Sequence, residues 1–277
     1  MKIKIIAVIL ALGLLISVGY VKAQKTDSTT NTIETSTENG EITQEEKNVS
    51  NETDSNTDGS EETESQNEKQ TQTQNVVPDA SGKIVINDVP HIQQMPELPR
   101  GCEVTSLAML LQYAGVSVDK MSLAKEINTV PFRDQNGVHG NPNEGFVGDM
   151  YSFDNSGYGV YHSPIAVLAE TYLPGRIIDL TGQSIDSVYK LIKSGSPVWV
   201  ITNSRFASLP QSEFSVWNTQ TGTVQITYRE HSVLVVGYDD NYVYINDPLA
   251  AQSYKAVPRG SFEESWVQMG KQAVSYQ

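Results

Sequence analysis

The chain contains one cysteine, Cys102, and only four histidines in 277 residues. A single cysteine excludes an internal disulfide and any zinc site built on spaced cysteine pairs. Basic residues are scarce as well: 19 Lys and Arg stand against 33 Asp and Glu, a formal charge of −14. There is no basic stripe and no glycine-rich phosphate loop, so nucleic acid and nucleotide are not expected as ligands. Apolar residues almost vanish between Gln24 and Asp79, leaving only the C-terminal portion able to build a core.

The charge is as unevenly spread as the hydrophobicity. Residues 24–80 hold 14 acidic and 3 basic residues among Thr, Ser, Asn and Gln. Such a segment cannot bury enough surface to offset its conformational entropy and is expected to be a disordered, extended tether. Ahead of it, Lys2 and Lys4 precede the apolar run Ile5 to Val18, and Val21-Lys22-Ala23 supplies small residues at a cleavage site. Residues 1–23 therefore read as a secretory signal cleaved after Ala23, or else as an uncleaved membrane anchor. Either outcome places the rest of the chain outside the cell or on its outer face, and any membrane contact is expected only through that segment.

Residues 81–277 are expected to form one domain. Ile84, Ile86 and Val89 suggest a short strand, followed by a proline-punctuated loop to Arg100. Val104, Leu107, Ala108, Leu110, Leu111 and Ala114 then recur on one helical face, with Gly115 as a stop. A second helix is expected over 122–127, and a long Gly/Asn/Asp-rich irregular stretch over 131–159. Helices capped by Ser163-Pro164, by Ser184 and by a box at Ser261 to Glu264 follow, with strands over 176–180, 197–202 and 223–228. The runs 232–238 and 242–245 flank Asp239-Asp240-Asn241 and form a hairpin. Trp199, Tyr158, Tyr161 and Trp217 either fill the core or line a groove.

The chemistry gathers on Cys102. A thiol in the first turn of a helix meets unpaired N–H groups and the positive end of the helix dipole, both of which favour thiolate. A hairpin centred near residue 240 makes Asp247 a direct or diagonal neighbour of His231. A cysteine nucleophile needs a base, and the base needs an acceptor on its other nitrogen; Cys102, His231 and Asp247 fill those roles. His91, His139 and His162 have no carboxylate at an equally readable cross-strand position.

The motifs Val89-Pro90, Gln94, Leu98-Pro99, Gly101-Cys102-Glu103, Glu230-His231, Gly237-Tyr238-Asp239 and Asn246-Asp247-Pro248 resemble the C39-like cysteine peptidases of secreted bacterial proteins. These are papain-fold relatives of the peptidase domain on bacteriocin exporters, and the resemblance runs from about Lys83 to Gln277. It implies an α+β, papain-like fold in which a helix carrying the cysteine packs on an antiparallel sheet carrying His and Asp. It also implies Cys102 as nucleophile, His231 as general base and acid, Asp247 as its orienter and Gln94, with Gln93 as the neighbouring alternative, in the oxyanion hole. No cofactor or metal is expected, and the protein should act as a monomer on a peptide, protein or cell-wall peptide. Glu103 replaces the glycine that follows the cysteine in the exporters, and no transporter helices are present, so leader cleavage is not inherited. Glu103 is expected to cap the helix or make a surface contact. The same triad serves wall amidases and transglutaminase-like acyl transferases, and a non-catalytic binding domain could retain the fold.

Overall fold

The computed structural model describes residues 82–277, so the expected signal segment and tether lie outside the described residues. The chain enters through β1 (Ile84–Val85), then α1 (Cys102–Tyr113), α2 (Lys120–Glu126), β2 (Thr129–Val130), β3 (Phe146–Val147), α3 (His162–Tyr172), β4 (Ile177–Asp179) and α4 (Ile185–Lys193). It continues through β5 (Val198–Asn203), β6 (Ser215–Thr219), β7 (Gly222–Ile226), β8 (Glu230–Tyr238), β9 (Tyr242–Asn246), β10 (Lys255–Pro258), α5 (Arg259–Gln268) and β11 (Ala273–Tyr276). The expected mixture of helices and antiparallel sheet is present.

The main sheet runs β10-β9-β8-β5-β11-β4, antiparallel throughout, and β1 pairs with β8 through Ile84–Tyr238 and Val85–Gly237. Its centre is β8, whose residues 231–237 are all buried, and β5, buried at every position. Continuous burial explains why both read as unbroken β-branched runs rather than alternating ones. Helix α1 packs across β8 and β5. It is buried from Cys102 through Leu111, and Leu107, Leu110 and Leu111 are fully enclosed, each worth roughly 1.5–3 kcal/mol of burial. The thiol-bearing end of α1 is thereby fixed against the strand that carries His231.

A smaller cluster lies beside this core: Val147, Tyr158, Tyr161, Trp217 and Ile226. It joins the loop 131–159 to the β6–β7 hairpin, and His139 stacks on Trp217 with ring centroids 3.9 Å apart. Trp199 is wholly in the main core, whereas Tyr158 belongs to the smaller cluster and also faces the site described below.

Several boundaries differ from expectation for local reasons. Helix α2 starts at Lys120 rather than Ser122, because the Asp119 carboxylate accepts from the N–H groups of Met121 (2.7 Å) and Ser122 (2.9 Å). Helix α3 begins at His162, putting Ser163-Pro164 within its first turn. Helix α5 starts after Pro258, so Ser261 is interior and forms no capping box; Arg259 pairs one turn on with Glu263 at 2.7 Å. The stretch 131–159 is mostly irregular, but β2 and β3, a two-residue parallel pair, bracket part of it.

Candidate active site

The approach to Cys102 is built by close packing. Gly101 precedes the helix, and a Cβ there would sit 2.5 Å from Leu98 Cβ, so only glycine lets the loop fold back this tightly. The loop closes with Gly101 N–H donating to Leu98 O (3.0 Å) and Leu98 N–H to Gln94 O (3.0 Å). It is also sewn to the end of β9: Gln94 N–H donates to Pro248 O at 3.0 Å, and the Asn246 amide donates to the carbonyls of Val89 (3.3 Å) and Pro90 (2.9 Å). Thus the loop before the thiol and the strand end after it, distant in sequence, form one unit.

Cys102 is the first residue of α1 and 7 % exposed. Its backbone N–H, at the helix start, has no carbonyl one turn back to bond. His231 lies near the start of β8, opposite Thr202 of β5. Its Nε2 meets Asp247 Oδ1 at 2.7 Å, which leaves Nδ1 as the ring nitrogen available to a substrate or thiol. The register Leu234–Asn246 makes Asp247 the diagonal neighbour that the hairpin implied. Asp247 Oδ1 also accepts from Leu249 N–H (2.9 Å), and Oδ2 from Lys255 Nζ (2.9 Å). Burial by itself would raise the Asp247 carboxyl, but the His231 bond and charge, the Leu249 N–H and Lys255 hold it well below the usual carboxylate range.

A cavity of about 310 Å³ brings these groups together; Cys102, His231, Gln94, Glu230, Tyr158 and Arg100 are among its walls. Of the two glutamines, Gln94 is 2 % exposed and lines the cavity, while Gln93 turns outward and donates to Ala250 O at 3.2 Å. The Gln94 amide nitrogen donates to the carbonyls of Leu98 (3.1 Å) and Pro99 (2.9 Å), and its Oε1 has no partner. The other histidines do not line the cavity. His91 Nε2 contacts the backbone carbonyl of Asp247 (3.1 Å), and His139 is held on Phe132 O (3.1 Å). His162 does have a carboxylate, Asp179 Oδ2 at 2.6 Å. Asp179 is on β4, at the far end of the sheet from the hairpin, so local sequence gave no sign of this pair.

Glu103 corrects the sequence reading. It is not a surface group but fully buried, with Oε1 accepting from Val160 N–H at 2.7 Å and Oε2 from the Cys102 thiol at 3.3 Å. Glu230 joins it: one ligand atom each from Cys102, Glu103 and Glu230 lie within 4.8 Å of one another. Gly159 makes room, since a Cβ there would come within 2.5 Å of Glu103 Oε1 and 3.0 Å of Glu230 Oε2. Burial pushes Glu103 up to about 7, against hydrogen bonds from its own N–H, the Val160 N–H and the thiol. Burial and the Glu103 charge also push Glu230 well above the usual carboxylate range. Two carboxyls so placed share protons rather than both ionising.

The thiol answers to the same surroundings. Burial first, then the Glu103 and Glu230 charges, push Cys102 well above the usual thiol range, opposed by a hydrogen bond from the Ser232 backbone. Burial first, and then two carboxyls whose approach the local pattern did not reveal, oppose the thiolate that the helix terminus favours. The three donors are spaced closely enough to hold a divalent cation, and without one burial raises both carboxyls and the thiol.

Residues 86–274 match the Peptidase_C39 like family. The uncharacterised protein YvpB of Bacillus subtilis is 52 % identical over 182 residues, 66 % of this chain and 71 % of that protein. A crystal structure of a candidate C39-like peptidase from Bacillus anthracis superposes with a TM-score of 0.70 at 58 % identity, covering 70 % of this chain and 97 % of that one. With a match spanning most of its length, the chain belongs to the Peptidase_C39 like family.

Proposed function

We propose that the protein is an exported cysteine peptidase that cleaves peptide or isopeptide bonds through an acyl-enzyme, with Cys102 as nucleophile, His231 as base and acid, and Asp247 as orienter. The observation that carries this reading is the convergence on one cavity of a helix-terminal thiol and an imidazole whose far nitrogen is held at 2.7 Å by a buried carboxylate. On this reading the site takes a papain-like form, with the thiol on a helix and the imidazole and carboxylate on an antiparallel sheet, and the shared cavity wall supports it.

The chemistry follows from the protonation states. In this reading burial and the two carboxyls favour the protonated thiol, and His231 Nδ1 takes its proton as sulfur attacks the scissile carbonyl carbon. Asp247 fixes the tautomer with hydrogen on Nε2 and stabilises the imidazolium that forms. The Cys102 N–H donates to the tetrahedral oxyanion, and Gln94 joins it by exchanging one of its two carbonyl acceptors for the oxyanion. His231 then gives its proton to the leaving amine, and the thioester is hydrolysed by water activated by the same imidazole.

The test is product analysis by mass spectrometry after incubating peptides and wall fragments with the wild type and Cys102→Ala. New termini from the wild type alone support the reading; identical digests from both end it. Export rests on residues 1–23 and is tested by sequencing the amino terminus of material from the native culture, where Gln24 is expected and an intact Met1 on membranes points to the anchor.

A further inference from the structure

Among the described residues, the buried side-chain atoms that the cavity wall leaves without a partner are all oxygens. Two of its wall residues carry a buried atom with no partner, Gln94 Oε1 and Glu230 Oε1, and both are acceptors. Without substrate the Gln94 amide nitrogen faces the carbonyls of Leu98 and Pro99, because the opposite orientation would turn its oxygen onto them. Behind Glu230 lies Glu103, whose two oxygens are occupied by Val160 N–H and the thiol.

None of the nearby cations forms an ion pair with Glu230. The Arg100 guanidinium donates to the carbonyls of Asp149 and Ser152 and lies over the Phe153 ring. His231 is turned to Asp247, and Lys255 to the far oxygen of Asp247. Tyr158, also in the wall, bonds the Tyr161 hydroxyl. No lysine lines the cavity. With no counter-ion beside it, burial and the neighbouring Glu103 favour the protonated form of Glu230, and a ligand that brings donors and positive charge favours the ionised, accepting form.

We propose that this cavity receives a primary ammonium group of the substrate, carried within a few bonds of the scissile carbonyl and held by the carboxyl of Glu230 with Glu103 behind it. The proposal rests on the peptidase reading for the word substrate, but the cation site stands on the unpaired acceptors themselves. Its mouth suits such a group, since Phe153, Tyr228 and Leu249 are 65 %, 67 % and 54 % exposed and all line the cavity. Apolar rims accept the hydrocarbon of a lysine-like side chain, and aromatic faces attract an ammonium on its way in. An ammonium seated there also offsets the carboxyl charge that opposes thiolate formation, so the correct substrate would help to ionise the nucleophile that attacks it.

The test needs no peptidase activity. Aminoethyl, hydroxyethyl and sulfonatoethyl methanethiosulfonates carry positive, neutral and negative groups of similar size. In each case the Cys102 thiolate attacks the sulfenyl sulfur, a disulfide forms and methanesulfinate leaves with the bonding pair. Rates are followed by intact mass in high salt with a chelator present, and divided by those of a small neutral thiol. The aminoethyl reagent is expected to exceed the neutral one by about tenfold, the equivalent of one modest ion pair, and the anionic reagent to be slowest. Glu230→Gln should bring the three normalised rates together while melting as the wild type does. Equal normalised rates in the wild type overturn the proposal without recourse to any variant, and so does an undiminished preference in a folded Glu230→Gln.

Fluorogenic amides separate the sources of the ammonium: acetyl-lysyl carries it on the side chain, free-amine norleucyl on the amino terminus, and acetyl-norleucyl carries none. Preference for either charged amide over the neutral one names the source, and equal turnover of all three overturns the proposal. If none is cleaved, the peptidase reading is what suffers, and the labelling rates still decide the cation site.

Discussion

Lys255 holds the oxygen of Asp247 that His231 does not use: Nζ lies 2.9 Å from Oδ2, while the imidazole takes Oδ1 at 2.7 Å. The lysine comes from β10 and also lies over the Phe206 ring, 4.5 Å from its centroid. That ring in turn meets His231 edge-on with centroids 6.0 Å apart. One carboxylate is thus fixed from both sides, and with it the plane of the imidazole.

His231→Ala is expected to remove nearly all peptide turnover. Asp247→Asn should lower kcat by about 10² to 10⁴, because an amide misplaces the tautomer that the carboxylate selects. Lys255→Met should cost less than about tenfold, since the lysine is 40 % exposed and its charge is screened. Its signature is in the pH profile. Lys255 helps to depress Asp247, so removing it lets Asp247 protonate at higher pH and moves the acid limb of kcat/KM upward. An unmoved limb in Lys255→Met would remove lysine from the positioning set.

The packing under the thiol makes a stability prediction. Gly101→Ala places a Cβ 2.5 Å from Leu98 Cβ, an overlap that the buried Leu98 cannot relieve by turning into solvent. A loss of about 1–3 kcal/mol is expected, read as a lower melting temperature, together with slower Cys102 chemistry because α1 begins at the next residue. Melting unchanged from wild type would mean that the loop moves freely enough to absorb the methyl group.

What was legible in the sequence was whatever one element decides by itself. The stripe from Val104 to Leu111 is wholly buried, as its periodicity required. The hairpin through Asp240 brings His231 to Asp247 despite a bulge between Val235 and Gly237, because the turn position sets the register to within a diagonal. What was hidden depends on elements meeting. Lys255 reaches Asp247 only because β10 lies beside β9. Glu230 adjoins His231, and strand alternation would send the two side chains to opposite faces. The turn closed by Glu230 N–H on Thr227 O begins the strand there, and Glu230 lines the same cavity as its neighbour. Glu103 looked like a surface acid because burying a carboxyl in a first helical turn is rare; its place depends on Gly159 and Val160 of a distant loop.

Acid pH should destabilise the fold through Asp247. Its folded value lies below the unfolded value of about 3.9, so its contribution is fully present above that pH and is lost as the pH falls further. Asp247→Asn is expected to melt lower than the wild type at pH 6, with the difference shrinking toward pH 2. A constant difference across that range would mean that the ionised form is not what stabilises.

The thiol should titrate late. With burial and two carboxyls raising it, alkylation by neutral iodoacetamide is expected to be slow at pH 6 and to accelerate past the free-thiol value of about 8.5. Glu230→Gln removes one of the opposing charges and should shift the profile toward neutral pH. Fast alkylation at pH 6 in the wild type would restore the helix-terminus thiolate and make the carboxyl pair electrically silent.

Glu103 supplies the opposite pH signature from Asp247. Its folded value is raised to about 7, so the folded protein holds a proton that the unfolded chain has released. The stabilisation is complete below about pH 4.3, the ordinary glutamate value, and is lost as the pH rises through 7. Relative to Glu103→Gln, which stays neutral and can keep the Val160 N–H bond through its amide oxygen, the wild type should lose on the order of 3 kcal/mol across that window. Denaturant melts of both proteins at pH 4.5, 6 and 7.5 measure the difference directly. If the two curves run parallel, Glu103 is ionised throughout, and the buried carboxyl must have a cation that neither Lys255 nor Arg100 supplies.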